Sequence, residues 1–344
     1  MRAKKSRAAI CLLLCLILAI TACQSPAPEP DPFPLPDDLE SPEPADEILT
    51  PMHTDFLWEV LGGQGRVYLM GTMHIVRDDY VFTPALLDIF DEMDALALEV
   101  DMLDISLLSG LMDLYSYPEG ETILDHLSER GAAHLLNMID VYGLDRSILH
   151  SRPFALSSAF MVAAFEGTHF RPIVGGVDLM LNLRAWELGM TIHSLEDSRA
   201  VLENMNNLPA DTQERIMVLT IPTPDQMLED FFALYDVFLS GDYQRVLDFL
   251  YPEEWEEDDA IGGDGLPIEF TDDDDLYLYY MLEHRDNLMT DKIISFLESG
   301  ENVFVAAGLA HFVGEGSIIY LLEEAGYQVV RVDLTQSRGQ VFAA

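Results

Sequence analysis

Apolar residues occur in short runs that are separated by turn signals, a pattern typical of a sheet whose strands are buried by helices. Residues 56–60 and 66–70 flank a glycine-rich turn at residues 62–65 and predict a β-hairpin. Residues 95–98 and 191–195 predict two further strands.

Helical periodicity dominates the middle of the chain. Thr83 and Pro84 predict the start of a helix that runs to about Met93, because proline is favoured in the first turn. Residues 105–207 are mostly helical by the same criterion. At the C-terminus, a strand at 302–307, a helix at 316–325 and a strand at 327–333 predict a strand–helix–strand unit with a parallel pair of strands. The expected fold class is therefore α/β, with a mixed sheet and a helical middle region.

The first residues predict where the protein resides. Four basic residues within the first seven precede the uncharged apolar segment 8–20, which suits a signal peptide and is short for a membrane span. Ile20-Thr21-Ala22-Cys23 resembles the lipobox of bacterial lipoproteins, in which the cysteine is diacylated. We therefore expect a signal peptide at 1–22 and a lipid on Cys23 that holds the protein on the extracytoplasmic face of the cell membrane.

Composition divides the mature chain into a tether and a folded domain, and it marks one insertion within that domain. Residues 23–51 are proline-rich and acidic, which predicts an extended tether. Residues 52–344 form the expected folded domain. Within it, residues 253–275 contain twelve acids and no base, which predicts a solvated loop insertion.

Charge and cysteine content exclude several classes of function. The chain has 344 residues, with 61 acidic against 18 basic ones and a formal charge of −43, so we expect no binding to nucleic acid. Its hydrophobic content of 49% is sufficient for a sizeable core. The three cysteines are Cys11, Cys15 and Cys23, so the mature chain keeps only the lipidated one and has none for a disulfide or a nucleophile.

Two histidines occupy matching positions in the pattern. An apolar strand runs into Gly71-Thr72-Met73-His74, and another runs into Gly308-Leu309-Ala310-His311. Functional crevices of open α/β sheets lie beyond the carboxyl ends of strands, so both side chains can reach one site. Glu99 and Asp101 follow a third apolar strand and supply a carboxylate. Such a set suits a divalent metal; the alternative is that each histidine is a structural residue near a turn.

These motifs, with several others in the same order, resemble the TraB/GumN family, which includes Tiki-type Wnt-inactivating proteases and PrgY-like pheromone-shutdown proteins. The resemblance spans about residues 56–333. Beyond the two Gly-x-x-His motifs it rests on these segments: Leu96–Asp101, Arg152-Pro153-Phe154, Gly176-Val177-Asp178 with Ala185, Gly189 and Leu195-Glu196, Arg285-Asp286 with Met289, and 321–332.

The resemblance implies a fold related to the erythromycin-esterase and ChaN-like groups. From the Tiki branch it implies metal-dependent proteolysis by His74, His311 and Glu99, with Mn, Co or Zn as the ion. Arg285 matches a family arginine that pairs with a carboxylate or an oxyanion. Glu196 and Asp178 match family acids that either act in the site or orient its residues.

The leading hypothesis is a membrane-tethered metallohydrolase that cleaves peptides or proteins, in which Glu99 is either a third ligand or the general base. There is no His-Glu-x-x-His motif, so it is not a standard zincin. The alternative is a non-catalytic lipoprotein that binds a peptide, a metal or haem in the same crevice. A third hypothesis is a small-molecule hydrolase similar to erythromycin esterase.

Overall fold

The computed structural model describes residues 56–170, 172, 176–252, 261–334 and 340–341. The expected signal peptide, Cys23, the tether and His53 lie outside this range. Seven strands form one sheet in the order β4-β3-β5-β2-β1-β6-β7. The strands are β1 (Phe56–Leu61), β2 (Val67–Thr72), β3 (Ala95–Leu98), β4 (Thr191–Ser194), β5 (Val303–Gly308), β6 (Gln328–Asp333) and β7 (Gln340–Val341).

Helices cover the sheet and fill the sequence between β3 and β5. They are α1 (Pro84–Asp91), α2 (Ile105–Gly110), α3 (Met112–Tyr115), α4 (Glu129–Val141), α5 (Pro153–Ala164), α6 (Val177–Leu188), α7 (Ser198–Asn206), α8 (Ala210–Gln213), α9 (Pro224–Leu239), α10 (Tyr243–Leu250), α11 (Asp275–Leu278), α12 (His284–Ser299) and α13 (Ile318–Glu324). Short 3₁₀ segments lie at Ile123–His126, Arg146–His150, Asp272–Asp274 and Leu309–Phe312, and π-helical turns at Glu214–Val218 and Tyr279–Glu283. None of these helices is long and apolar enough to span a membrane.

The mixed α/β fold predicted from the sequence is confirmed. β1 and β2 form the expected antiparallel hairpin, and Thr83 caps α1 by accepting a hydrogen bond from the Leu86 N–H. β2, β3 and β5 are parallel neighbours, and every residue of these three strands is buried. Burial on both faces is what a parallel sheet covered by helices requires. The buried apolar residues from Phe56 to Val332 form one core.

The C-terminal unit differs from the prediction in one respect. β5, α13 and β6 are present, and β5 and β6 run in the same direction, but they are not paired. β2 and β1 lie between them, and β6 pairs with β1 in antiparallel orientation. The N-terminal hairpin is inserted into the unit, which the local pattern of residues 302–333 does not reveal.

The expected acidic insertion at 253–275 is solvated only in part over its described residues 261–275: Asp272, Asp273 and Asp275 are exposed, but two other acids have partners. Asp264 forms an ion pair with Arg130, and Asp274 forms one with Arg215. The side chains of Asp274 and Ile268 are buried. Because each of these carboxylates has an arginine partner on the helical region, the acids can leave water without remaining unpaired.

Candidate functional site

The order of the strands brings three predicted residues to one edge of the sheet. β5 lies between β3 and β2, and the three strands are parallel. Glu99 follows β3, His74 follows β2, and His311 lies in the 3₁₀ turn after β5. Their side chains therefore reach the carboxyl ends of adjacent strands, as proposed from the sequence.

These side chains converge on Gly308, the last residue of the central strand. The Gly308 N–H donates a hydrogen bond of 2.7 Å to Oε1 of Glu99. A methyl group on the Gly308 Cα would lie 3.5 Å from this oxygen, 3.7 Å from Cδ2 of His311 and 3.8 Å from Nε2 of His74. One small volume above Gly308 is thus bordered by all three residues.

An aspartate contacts Nδ1 of each imidazole ring. Nδ1 of His74 lies 2.7 Å from Oδ2 of Asp178, whose other oxygen accepts a hydrogen bond of 2.5 Å from the Thr72 hydroxyl. Nδ1 of His311 lies 2.5 Å from Oδ1 of Asp286. Asp178 is in the first turn of α6 and Asp286 is in the first turn of α12. One ring is therefore oriented from the start of α6, and the other from within the continuous helical stretch Asp275–Ser299.

Close backbone packing fixes the start of α6 against the His74 loop. The Val177 N–H donates a hydrogen bond of 3.0 Å to the carbonyl oxygen of Met73. A Cβ atom on Gly176 would collide with the carbonyl oxygen of His74. Glycine at this position is what allows Asp178 to approach the His74 ring.

Arg285 is buried among carboxylates, with 2% of its side chain exposed. Its Nη2 donates to Glu99 and to Glu196, and its Nε donates a second hydrogen bond of 2.7 Å to Glu196. Its Nη1 donates to the carbonyl oxygen of Met281, 3.1 Å away. Of the two roles predicted for Arg285, the structure shows the pairing with carboxylates. Its hydrogen bonds leave little capacity to bind an oxyanion.

Negative charge exceeds positive charge in this centre. The side chains of Glu99, Asp178, Glu196 and Asp286 are at most 10% exposed, while Arg285 supplies one permanent positive charge. Burial raises the pKa of Glu99, but the charges of Arg285 and the histidines outweigh burial and lower it well below its usual range. Burial lowers the pKa of His74, but Asp178 and Glu99 outweigh it and raise the pKa to about 9. The centre therefore favours an added positive charge.

The chemistry of these side chains suits a divalent metal ion. Bonds from such an ion to imidazole nitrogen or carboxylate oxygen are about 2 Å long, so two ligand atoms lie at most about 4 Å apart. Nε2 of His311 lies 4.0 Å from Oε2 of Glu99, at this upper limit. Across the described ranges, no three His, Cys, Asp or Glu side chains are already arranged to hold a metal ion. The donors fit a metal in kind, and small side-chain rotations would be needed to close the set.

Sequence reasoning did not single out Asp286, and it left the role of Asp178 open. The signal available for both was an aspartate inside a quoted segment, Gly176-Val177-Asp178 at the start of α6 and Arg285-Asp286 within a continuous helical stretch. The other described histidines stay outside the centre. His134, for example, is buried on α4 and contacts the carbonyl oxygen of Ile221, 3.1 Å away.

Fold and site together define an α/β protein with a buried histidine–carboxylate centre at the carboxyl ends of parallel strands. The chain belongs to the TraB/PrgY/gumN family, whose model matches residues 56–331. This match confirms the family resemblance seen in the motifs. Searches of curated proteins and of solved structures found no match to the chain.

Proposed function

We propose that this protein is a metal-dependent hydrolase that cleaves peptides outside the cytoplasm, and that a lipid on Cys23 tethers it to the membrane. The observation that carries the proposal is the convergence of His74, His311 and Glu99 around Gly308. Two imidazoles and a carboxylate are donors that Zn²⁺, Mn²⁺ and Co²⁺ accept. The family match spans residues 56–331 and therefore includes all three of these residues.

In this proposal His74 and His311 bind the ion through Nε2, and Glu99 is either the third ligand or the general base. When bound, the ion supplies a Lewis acid for the scissile carbonyl group and lowers the pKa of a water molecule towards about 7. Glu99 as a base would accept the proton of this water; as a ligand it would complete the donor set. Arg285 keeps the Glu99 carboxylate in place and is a positioning residue.

The charge of the centre also supports a cation. Glu99 and Glu196 share the single guanidinium group of Arg285, whereas Asp178 and Asp286 contact imidazoles, so carboxylates outnumber the permanent positive charges of the centre. A divalent ion beside Glu99 would offset part of this excess. An anionic ligand would increase it, which disfavours a role in binding phosphate or sulfate.

Binding without catalysis is the second candidate, and one observation favours it. Both oxygens of Glu99 already accept hydrogen bonds, from the Gly308 N–H and from Arg285, so its carboxylate is less available to a metal or a water molecule. If the bound ligand is haem, the absorption spectrum of the purified protein distinguishes the binding function from the hydrolase. A Soret band would favour the binding function and count against the hydrolase.

The main experiment measures metal content and peptide cleavage in the full chain and in His74→Ala, His311→Ala and the double variant. If both histidines bind one ion, either single variant loses the metal, and the double variant is scarcely worse because the ligands act as a unit. His169→Ala is the matched control, since 85% of the His169 side chain is exposed and it lies outside the centre. Stoichiometric metal in either single variant would refute the shared site.

Glu99→Gln separates the two roles of Glu99. The amide has nearly the same shape, but it cannot accept a proton and is a poor metal ligand. Retention of metal with loss of turnover identifies Glu99 as the base, whereas loss of both identifies it as a ligand. Cleavage in an ester panel but not in a peptide library would instead favour the small-molecule hydrolase.

A further inference from the structure

The two Gly-x-x-His motifs form half-sites of the same construction. In each, a glycine is one of the last two residues of a strand, a histidine follows it three residues later, and a helical aspartate contacts Nδ1 of the histidine ring. Asp178 of α6 contacts His74, and Asp286 of α12 contacts His311. The two aspartates are 108 positions apart in sequence (286 − 178), so the similarity arises from the packing of separate elements.

This contact determines where each neutral ring carries its hydrogen. An ionised carboxylate has no hydrogen to donate, so Nδ1 must be the donor and the lone pair is on Nε2. Nε2 of His74 borders the volume above Gly308, and Nε2 of His311 faces Glu99 at 4.0 Å. Both lone pairs are therefore directed into the same centre.

We propose that Asp178 and Asp286 are positioning residues that hold the neutral rings of His74 and His311 as Nδ1–H tautomers, so that each ring directs the lone pair of its Nε2 into the centre. The inference deepens the proposed function and rests on it for the use made of the two Nε2 atoms. The tautomers themselves can be measured without metal or substrate. Carboxylates that orient ligand histidines in this way typically contribute 10–100-fold to metal affinity.

The hydrogen bond between Thr72 and Asp178 allows a specific test of the His74 tautomer. The Thr72 hydroxyl donates to Oδ1 of Asp178, while Oδ2 accepts from His74. In Asp178→Asn, retention of the Thr72 hydroxyl as donor to the amide oxygen would direct the NH₂ group at Nδ1 of His74. The ring must then accept at Nδ1 and carry its hydrogen on Nε2, the misplacement that the same exchange causes in a Ser–His–Asp triad.

The experiment records imidazole ¹⁵N spectra of the metal-free full chain, labelled at histidine. The pH is raised until the imidazole ¹⁵N shifts no longer change, so that both rings are observed in their neutral form. His74→Gln and His311→Gln assign the two rings by loss of their signals. We expect Nδ1–H tautomers for both rings in the wild type; an Nε2–H tautomer at either ring would overturn the inference.

The variants test each half-site separately. Asp178→Asn should convert His74 to the Nε2–H tautomer and leave His311 unchanged, and Asp286→Asn should do the converse. Adding Thr72→Val to Asp178→Asn frees the amide to turn its oxygen towards the ring, so the Nδ1–H tautomer of His74 should partly return. Asp145→Asn is the control, because Asp145 caps a 3₁₀ segment by accepting from Ser147. A conversion of both rings by one variant, or of neither ring, would overturn the inference.

Measurements of metal affinity show whether the positioning of the two rings affects metal binding. Each asparagine variant should bind Zn²⁺ or Mn²⁺ 10–100-fold more weakly than the wild type. If the tautomers respond as expected but the wild type binds no metal, the positioning role stands and the proposed metallohydrolase fails. Should Asp178→Asn not fold, Asp286→Asn carries the same prediction for His311.

Discussion

The backbone N–H of Gly308 donates a hydrogen bond to the carboxylate of Glu99 across 209 residues of sequence. This hydrogen bond joins the end of β5 to the residue that follows β3. The candidate centre is therefore attached directly to the carboxyl ends of these strands. Because Gly308 has no side chain, the volume above its Cα is left to the surrounding histidine and carboxylate groups. This relationship makes Gly308 a direct probe of the centre.

Gly308→Ala should abolish metal binding while preserving the fold. The added methyl would make ordinary van der Waals contacts of 3.5–3.8 Å, and a backbone with φ −51° and ψ 135° suits alanine. We expect the free energy of unfolding to stay equal or to rise by about 0.4–1 kcal/mol. Metal content by plasma mass spectrometry and a denaturant titration test both parts. Gly110→Ala, which adds a methyl in open space, is the control, and full metal occupancy in Gly308→Ala would contradict the proposed location.

Arg285→Met should destabilise the protein by about 3–5 kcal/mol, because it leaves the buried carboxylates of Glu99 and Glu196 without their counter-charge. Arg146→Met is the matched control, since Arg146 and its partner Asp140 are largely exposed and such pairs contribute at most about 1 kcal/mol. Urea titration of both variants measures the difference. Equal losses in the two variants would show that Arg285 is not a buried counter-ion.

Asp274→Asn should lower the free energy of unfolding by about 2–3 kcal/mol, because Asp274 is buried and accepts charged hydrogen bonds from Arg215. The same exchange at Asp272, an exposed neighbour in the same acidic run, should cost less than about 0.5 kcal/mol. Thermal and denaturant unfolding distinguish the two. Similar small effects at both positions would restore the expectation of a solvated loop.

Asp264 should make a stability contribution that depends on pH. Hydrogen bonds from the Arg130 guanidinium lower the pKa of Asp264 from its ordinary 3.8 to about 2 in the folded protein. A carboxyl whose pKa is lower in the folded state stabilises it above the unfolded pKa, and this contribution is lost as pH falls through the folded pKa. The difference in unfolding free energy between wild type and Asp264→Asn should be constant above about pH 5 and shrink steadily towards pH 2. A difference that persists unchanged at pH 2.5 would count against the ion pair.

Cys23→Ala should release the protein from membrane fractions or block its processing, because the thiol of Cys23 is the expected site of lipid attachment. Fractionation and mass determination of the mature N-terminus measure both outcomes. Cys15→Ala is the control, since Cys15 lies in the apolar segment that we expect to be removed with the signal peptide. Normal processing and unchanged membrane association in Cys23→Ala would refute lipid anchoring.

The sequence by itself determined which segments become strands and which residues follow them. Apolar runs ending in glycine identified β2 and β5, because a buried strand and a tight turn are both encoded locally. The same local signals predicted His74 and His311 at strand ends, Glu99 after β3 and the cap at Thr83.

Only the tertiary structure decided which strands are neighbours and which charged groups contact each other. Strand neighbours depend on where the N-terminal hairpin enters the sheet, so β5 and β6 are separated although their sequence suggests a pair. The acids that face His74 and His311 lie 104 and 25 residues away in sequence, and helical periodicity does not specify which strand end a helical side chain will meet. In the same way, the acid density of residues 261–275 did not reveal Arg130 and Arg215 as partners. Long-range contacts of this kind arise from packing between elements, and that packing determines which charges are buried and which are solvated.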